Sequence, residues 1–194
     1  MPRKVDHDER RLAIAAVVEQ LVLEHGIEAL TVRDVADAVG CSTSVVSHYF
    51  RSKLDMLVFT HRTVRLRVER TLLAAMDAGH DLVACLELLL PTTDERWRDW
   101  HTWFACWGMA PTDPSVNREW AAGSSEATDI FTRLVQTAQS DGTVDPTLDP
   151  LAIATELQLT VNGIASLVTQ HRDGWPPERQ RDLLRRLVGK IARA

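Results

Sequence analysis

"TVRDVADAVGCSTSVVSHYFRSK", residues 31–53, decides how this chain is read. Thr31 opens a helix: T-V-R-D has the form of a capping box, with Asp34 where Glu or Gln is more usual. Val32, Val35, Ala36 and Val39 give that helix a buried stripe, and Gly40 stops it after about two turns. Ser42 or Thr43 can cap a third helix that runs only to about Tyr49, with Val46 and Phe50 four apart and able to face the core. Two short helices joined at a glycine, behind a longer one, make a helix-turn-helix. Glycine-joined short helices also occur in plain bundles.

The rest of the third helix shows Thr43, Ser44, Val45, Ser47 and His48. Short hydroxyl side chains lose little rotamer freedom and can reach base edges or phosphate oxygens, and a valine among them can meet a thymine methyl. Thr31 and Ser42 stand at helix N-termini, whose unpaired N–H groups favour phosphate. Arg33, Tyr49, Arg51 and Lys53 add donors around the same patch. By periodicity alone, a solvated helix face carrying a surface histidine fits equally well.

Outward from this stretch, residues 9–25 place Leu12, Ala16, Val17, Leu21 and Leu23 near a 3.6-residue repeat. Asp6 or Asp8 can cap that helix, and Gly26 ends it, followed by apolar Ile27. A fourth helix begins at Ser52 and carries Leu54, Leu57, Val58, His61, Val64, Leu66 and Val68 toward Leu72 and Leu73. It runs about 25 residues to Gly79, a length that suits a strut. Further helices are expected at 81–90, 94–109, 114–141, 149–171 and 177–192, broken at Pro91, PTDP (111–114), DGTVDPTLDP (141–150) and DGWPP (173–177). The expectation is an all-α chain: a helix-turn-helix domain over 1–53 and a helical regulatory and dimerisation bundle over 54–194.

Apolar residues make up 45% and charged residues 25% of the 194, the mix of an ordinary folded domain. Net charge is −5, which argues against a generally basic coat for nucleic acid but leaves room for a local basic edge. The first 53 residues carry Arg3, Lys4, Arg10, Arg11, Arg33, Arg51 and Lys53 against a similar number of acids, so any DNA binding rests on where those charges sit. No run approaches the roughly 20 apolar residues of a membrane span, and the N-terminus has no apolar signal core; a cytoplasmic protein is expected. Cys41, Cys85 and Cys106 are widely spaced and read as reduced thiols, with no disulfide framework and no zinc site. No cofactor is implied.

The helix ending at Gly26, Thr31-Val32-Arg33-Asp34-Val35-Ala36, Val39-Gly40-Cys41-Ser42, and His48-Tyr49-Phe50-Arg51-Ser52-Lys53 with Leu57 follow one another at set distances. In these features residues 9 to about 57 resemble the DNA-binding domain of the TetR family of transcriptional regulators. The family commonly has an aromatic where Ser47 stands and often a histidine where Tyr49 stands, so base preference is not carried over. The resemblance implies Thr31, Arg33, Ser42, Thr43, Ser44, Val45, Ser47, His48, Tyr49 and Lys53 as DNA contacts, with Thr43 to His48 in the major groove and Arg3 and Lys4 reaching phosphates from an arm.

"RWRDWHTWFACWG", residues 96–108, holds four of the chain's six tryptophans at spacings of three, three and four, on one side of a helix. A heavily packed core or interface is one reading. A ligand chamber is the other, since several aromatic faces around a cavity attract cations. With the proline loop that follows it, this segment resembles the regulatory domain of the choline-responsive repressor of betaine synthesis. That resemblance implies a small-molecule effector, a cationic one included, with Trp100, Trp103, Trp107 and Trp120 as pocket candidates. A cationic effector needs an acid within reach, and Glu119, Glu126, Asp129 and Glu156 are available.

Leu151, Ile153, Leu157, Val161, Ile164 and Leu167 line one C-terminal helix; Leu183, Leu184, Leu187, Val188 and Ile191 line the next. They either close the monomer core or, as the family resemblance implies, pair with their mates in a homodimer through residues 149–192. A two-fold pair would read a near-palindromic operator. No G-x-S-x-G, phosphate-binding glycine loop or H-E-x-x-H is present, and His61, His80, His101 and His171 are scattered, so no enzyme is expected. The function expected is a repressor released from double-stranded operator DNA by its effector. Its rival is a helical ligand-binding or protein-interaction module that does not touch DNA.

Overall fold

Proline and glycine punctuation fixes the helix order. The computed structural model of the chain describes residues 7–107, 109 and 114–191, of Ser115 the backbone only. Arg3, Lys4, Asp6, Gly108, the whole of 110–113 and the last three residues of the chain lie outside them. Among the described residues nine α-helices follow one another, with no strand: α1 His7–Ala29, α2 Val32–Val39, α3 Thr43–Tyr49, α4 Lys53–Asp77, α5 Leu82–Glu87, α6 Asp94–Trp107, α7 Pro114–Ser140, α8 Pro150–Gln170 and α9 Pro177–Val188. A 3₁₀ turn, Arg172–Gly174, precedes α9. Two compact units divide the chain: Met1–Leu66 with His101–Asn117, and Arg67–Trp100 with Arg118–Ala194. Helices α4, α6 and α7 contribute residues to both.

In the first unit, Ile14, Val18 and Val22 of α1 pack with Leu30, Val35 and Ala36, Val46, Phe50, Met56 and Leu57. Each such aliphatic side chain, fully buried, contributes about 1.5–3 kcal/mol. The buried stripe of α1 is therefore Ile14-Ala15-Val18-Val22 rather than the expected one, which included Leu12 (49% exposed) and Ala16 (exposed). The segment is apolar nearly all round, so periodicity alone could not choose the face. α1 starts at His7, which leaves Asp8 in the first turn rather than at the cap. There it still favours the positive end of the helix. Gly26 takes φ 77, ψ 168, a region closed to side chains, and kinks α1 before one last turn to Ala29.

The second unit buries Leu72, Leu82, Leu86, Leu90, Phe131, Leu134, Leu157, Ile164 and Leu184 in one core, with Trp97 and Trp100 packed against it. Asp81 caps α5 and Asp149 caps α8, each side chain accepting a backbone N–H. Arg185 and Arg181 of α9 both reach Glu87 of α5, at 2.7 and 3.7 Å. By length and composition α8 is apolar enough to cross a membrane, which corrects the expectation that no run approaches that length. Its Ile153, Leu157, Val161, Ile164 and Val168 are buried, as in the core helix of a soluble protein.

Candidate nucleic-acid interface and effector site

The reading helix is held from behind. Val46 (1% exposed) and Phe50 (3%) enter the first core, which turns Thr43, Ser44, Val45, Ser47 and His48 outward. The turn before it is set by Gly40 at φ 71, ψ 39, where the Cys41 and Gly40 N–H groups close on the Ala36 and Asp37 carbonyls. An L-residue costs about 1–2 kcal/mol in that conformation. Val45, 36% exposed, is the one apolar member of the outward face.

Thr31 and Asp34 form the capping box that the sequence predicts. The Thr31 N–H donates to Asp34 Oδ2 at 2.9 Å, and the Asp34 N–H donates to Thr31 Oγ1 at 3.2 Å. Thr31 Oγ1 also donates to Asp34 Oδ2 at 2.7 Å, so its hydroxyl is already engaged. These bonds from Thr31 hold the Asp34 carboxyl below its ordinary range. Ser42 occupies the N-cap of α3 but makes no cap bond; its hydroxyl lies 2.8 Å from that of Ser44. The hydroxyls are therefore tied to one another while the leading N–H groups of α3 lack a side-chain cap.

The cations divide. Arg33 and Arg51 are exposed. Lys53 Nζ donates to the Glu28 carbonyl at 3.2 Å, closing the end of α1 and leaving the ammonium two further protons to give. Arg11 lies over Phe50 and Phe59, at 4.9 and 4.0 Å, and is committed to holding α1 on the reading helix. Tyr49 is half-buried, its ring 4.9 Å from that of His7 and 5.2 Å from that of His48. The contact with His7 was not legible beforehand, because nothing in the spacing links the start of α1 to the end of α3.

The tryptophans of α6 do different things. Trp100 is in the second unit, where its Nε1–H donates to the Leu89 carbonyl at 2.6 Å, and Trp120 is half-buried there. Trp103 is in the first unit, stacked on His61 at 4.4 Å and 28°, and Trp107, 45% exposed, meets Phe104 edge-on at 5.0 Å. Of the acids proposed to balance a cation, Glu119 is half-buried, while Glu126, Asp129 and Glu156 are exposed. Sequence reasoning missed Asp99, 8% exposed and paired with Arg67 in the second unit. It also left His61 open as surface or core. The residue is 3% exposed, and burial, helped by the Arg65 charge, pushes its imidazole down to about 3. The Cys106 thiol is pushed up to about 12 by burial, so it is an inert core group.

Three N-terminal helices that turn one polar face outward, with a long helix leading into a larger helical bundle, define a helix-turn-helix regulatory protein. Residues 14–58 match the bacterial regulatory proteins of the tetR family, and residues 78–193 match the C-terminal domain of BetI-type transcriptional repressors. The chain belongs to the TetR family, with a BetI-type C-terminal domain, a family of transcriptional regulators rather than enzymes. It is 30% identical over 109 residues to the HTH-type transcriptional regulator PksA of Bacillus subtilis, covering 54% of this chain and 53% of that protein. It is 28% identical over 123 residues to the HTH-type transcriptional regulator BetI of Burkholderia cenocepacia, covering 61% and 63%. The chain thus matches between half and two thirds of the length of these relatives. A crystal structure of a transcriptional regulator from Saccharomonospora viridis in complex with choline shares the fold at TM-score 0.87 and 21% identity, over 96% of this chain and all of that one.

Proposed function

We propose that the chain is a repressor that binds a near-palindromic operator as a homodimer and is released by a small-molecule effector. The outward polar face of α3, held by Val46 and Phe50, carries this reading. Thr43, Ser44, Val45, Ser47 and His48 enter the major groove, and Arg33, Tyr49, Lys53, Thr31 and Ser42 meet the backbone beside it. Residues 1–53 read DNA; residues 54–194 bind effector and partner, in the cytoplasm. The test is fluorescence anisotropy of the purified chain with a duplex from its own upstream region, against an equal length of unrelated DNA. A dissociation constant the same for both would remove the operator-specific reading.

Self-association is supported by α8. Its Leu151, Thr155, Leu159, Gly163 and Leu167, every fourth residue, are all exposed, Leu159 to 66%. A Cβ added at Gly163 meets nothing within 4 Å. Mid-helix glycine costs about 1 kcal/mol relative to alanine. Among the described residues no atom lies against that position, and close approach of a second α8 would use the space. Two-fold pairing through residues 149–192 sets the reading helices about 34 Å apart or a multiple of it.

The residues proposed for effector contact are Trp100 and Trp120 in the second unit and, separately, Trp103 and Trp107 in the first. A cation is favoured by the aromatic content of α6 and by the choline held in the Saccharomonospora viridis relative. An effector acts only through unequal affinity for the DNA-competent and incompetent states. Choline or betaine aldehyde that leaves tryptophan emission unchanged would remove the quaternary-ammonium version.

A further inference from the structure

The first turn of α1 belongs to the reading surface. The His7 ring lies 4.9 Å from Tyr49 and 6.2 Å, edge-on, from His48. The His48 and Tyr49 rings are themselves 5.2 Å apart. Two imidazoles and a phenol therefore form one cluster spanning α1 and α3, with both histidines exposed. On α1 the charged neighbour shown against the cluster is Asp8, whose Oδ1 lies 3.9 Å from His7 Nδ1 and whose side chain is 84% exposed. Arg11 is turned away onto Phe50 and Phe59. Beyond α3, Arg51 is exposed, and Asp55 is engaged by the Arg51 and Asp55 backbone turn, accepting from the Arg51 N–H at 2.9 Å. No carboxylate in this set is buried against either imidazole.

We propose that His7 acts with His48 and Tyr49 as a single proton-sensitive contact to DNA phosphate, so that affinity for duplex rises as pH falls from 8 to 5.5. This rests on the DNA-reading function proposed above. The cause is electrostatic. Imidazole changes charge between about pH 5 and 8. A phosphate set beside the two rings attracts their charged forms and so favours protonation of both. Proton uptake on binding then makes affinity pH-dependent by linkage.

The experiment measures dissociation constants for a labelled 30-base-pair duplex of arbitrary sequence at pH 7.5 and pH 5.5 and constant low salt, where phosphate contacts dominate. Linkage allows about tenfold between these pH values for each imidazole that DNA holds protonated, so about 100-fold for two. His7→Phe keeps an aromatic ring against Tyr49 but carries no proton, and is expected to lose about tenfold of the ratio. His80→Gln, in the second unit, is expected to keep the full ratio. A His7→Phe protein whose ratio equals that of the wild type overturns the proposal, as does a wild type with no pH response. Binding too weak to measure at either pH, on this duplex and on the upstream-region duplex alike, overturns the DNA-reading function with it; a flat ratio with measurable binding overturns this inference alone.

Discussion

His61→Phe tests how the buried imidazole of α4 is held. The ring is 3% exposed and stacked on Trp103 at 4.4 Å, and burial followed by the Arg65 charge sets its titration at about 3. In the unfolded chain an imidazole titrates near 6.5. Its folded value is depressed, so between those limits the unfolded chain binds the proton and the folded chain does not. The stability contribution is therefore present above pH 6.5 and is lost progressively as pH falls toward 3. From pH 7.5 to 5.0 the loss from this one group is about 2 kcal/mol, equivalent to roughly 4–8 °C in Tm for a chain of this size. Phenylalanine keeps the stack and removes the proton. Urea unfolding followed by tryptophan emission should show the wild type losing about 2 kcal/mol more than His61→Phe over that interval. Equal losses in the two proteins would mean that burial does not hold the His61 ring neutral, and the account of its environment would be wrong.

Three further outcomes follow from the geometry. Thr31→Ala removes the two hydrogen bonds of the Thr31 hydroxyl to Asp34 and keeps the backbone N–H donor; it is expected to cost about 1 kcal/mol in urea unfolding, while the Asp34 carboxyl returns part of the way toward its ordinary range in an NMR titration. Lys53→Ala is expected to weaken binding alike on operator and unrelated duplex and to lower the salt slope by about one unit; an unchanged slope would show that its bond to the Glu28 carbonyl is its whole function. Leu159→Glu, at a position 66% exposed and outside both cores, should leave the helical circular dichroism intact and shift sedimentation from dimer to monomer. A dimer that survives this charge is not built on the α8 ridge.

Much of this molecule was legible before its coordinates. Gly40, Pro114, Pro150 and Pro177 end or begin helices by constraints local to a few residues, and the observed boundaries follow them, whereas α5 stops at Glu87, before the break expected at Pro91. The faces were harder. Val46 and Phe50 stood out because their helix is otherwise polar, whereas α1 and α8 are apolar on several sides. In α8 the expected stripe mixed buried Ile153, Leu157, Val161 and Ile164 with exposed Leu151 and Leu167, and Leu159 was missed. Periodicity reports that a side is apolar, not which neighbour covers it. Contacts between distant segments had no local signature at all: His7 on Tyr49, His61 under Trp103, and Arg67 on Asp99 join residues 32 to 42 apart. Those are also the contacts that give the candidate sites their chemistry.

The distribution of cations bears on why the proposed operator binding needs two protomers. Of the seven in residues 1–53, Arg11 is spent on Phe50 and Phe59, and Lys53 is partly engaged by the Glu28 carbonyl. A chain of net charge −5 has no general attraction for DNA to add. If one protomer neutralises about four phosphates, its salt slope is about −3.6, the range of weak non-specific binding; a pair reaches about −7. Joining two readers also makes the second contact intramolecular, which raises affinity without any new side chain. On the proposed pairing, the exposed leucines of α8 would supply affinity for DNA that the α3 surface lacks alone. Leu159→Glu should accordingly halve the salt slope as well as the mass, whereas damage confined to the reading helix would weaken binding and leave the dimer whole.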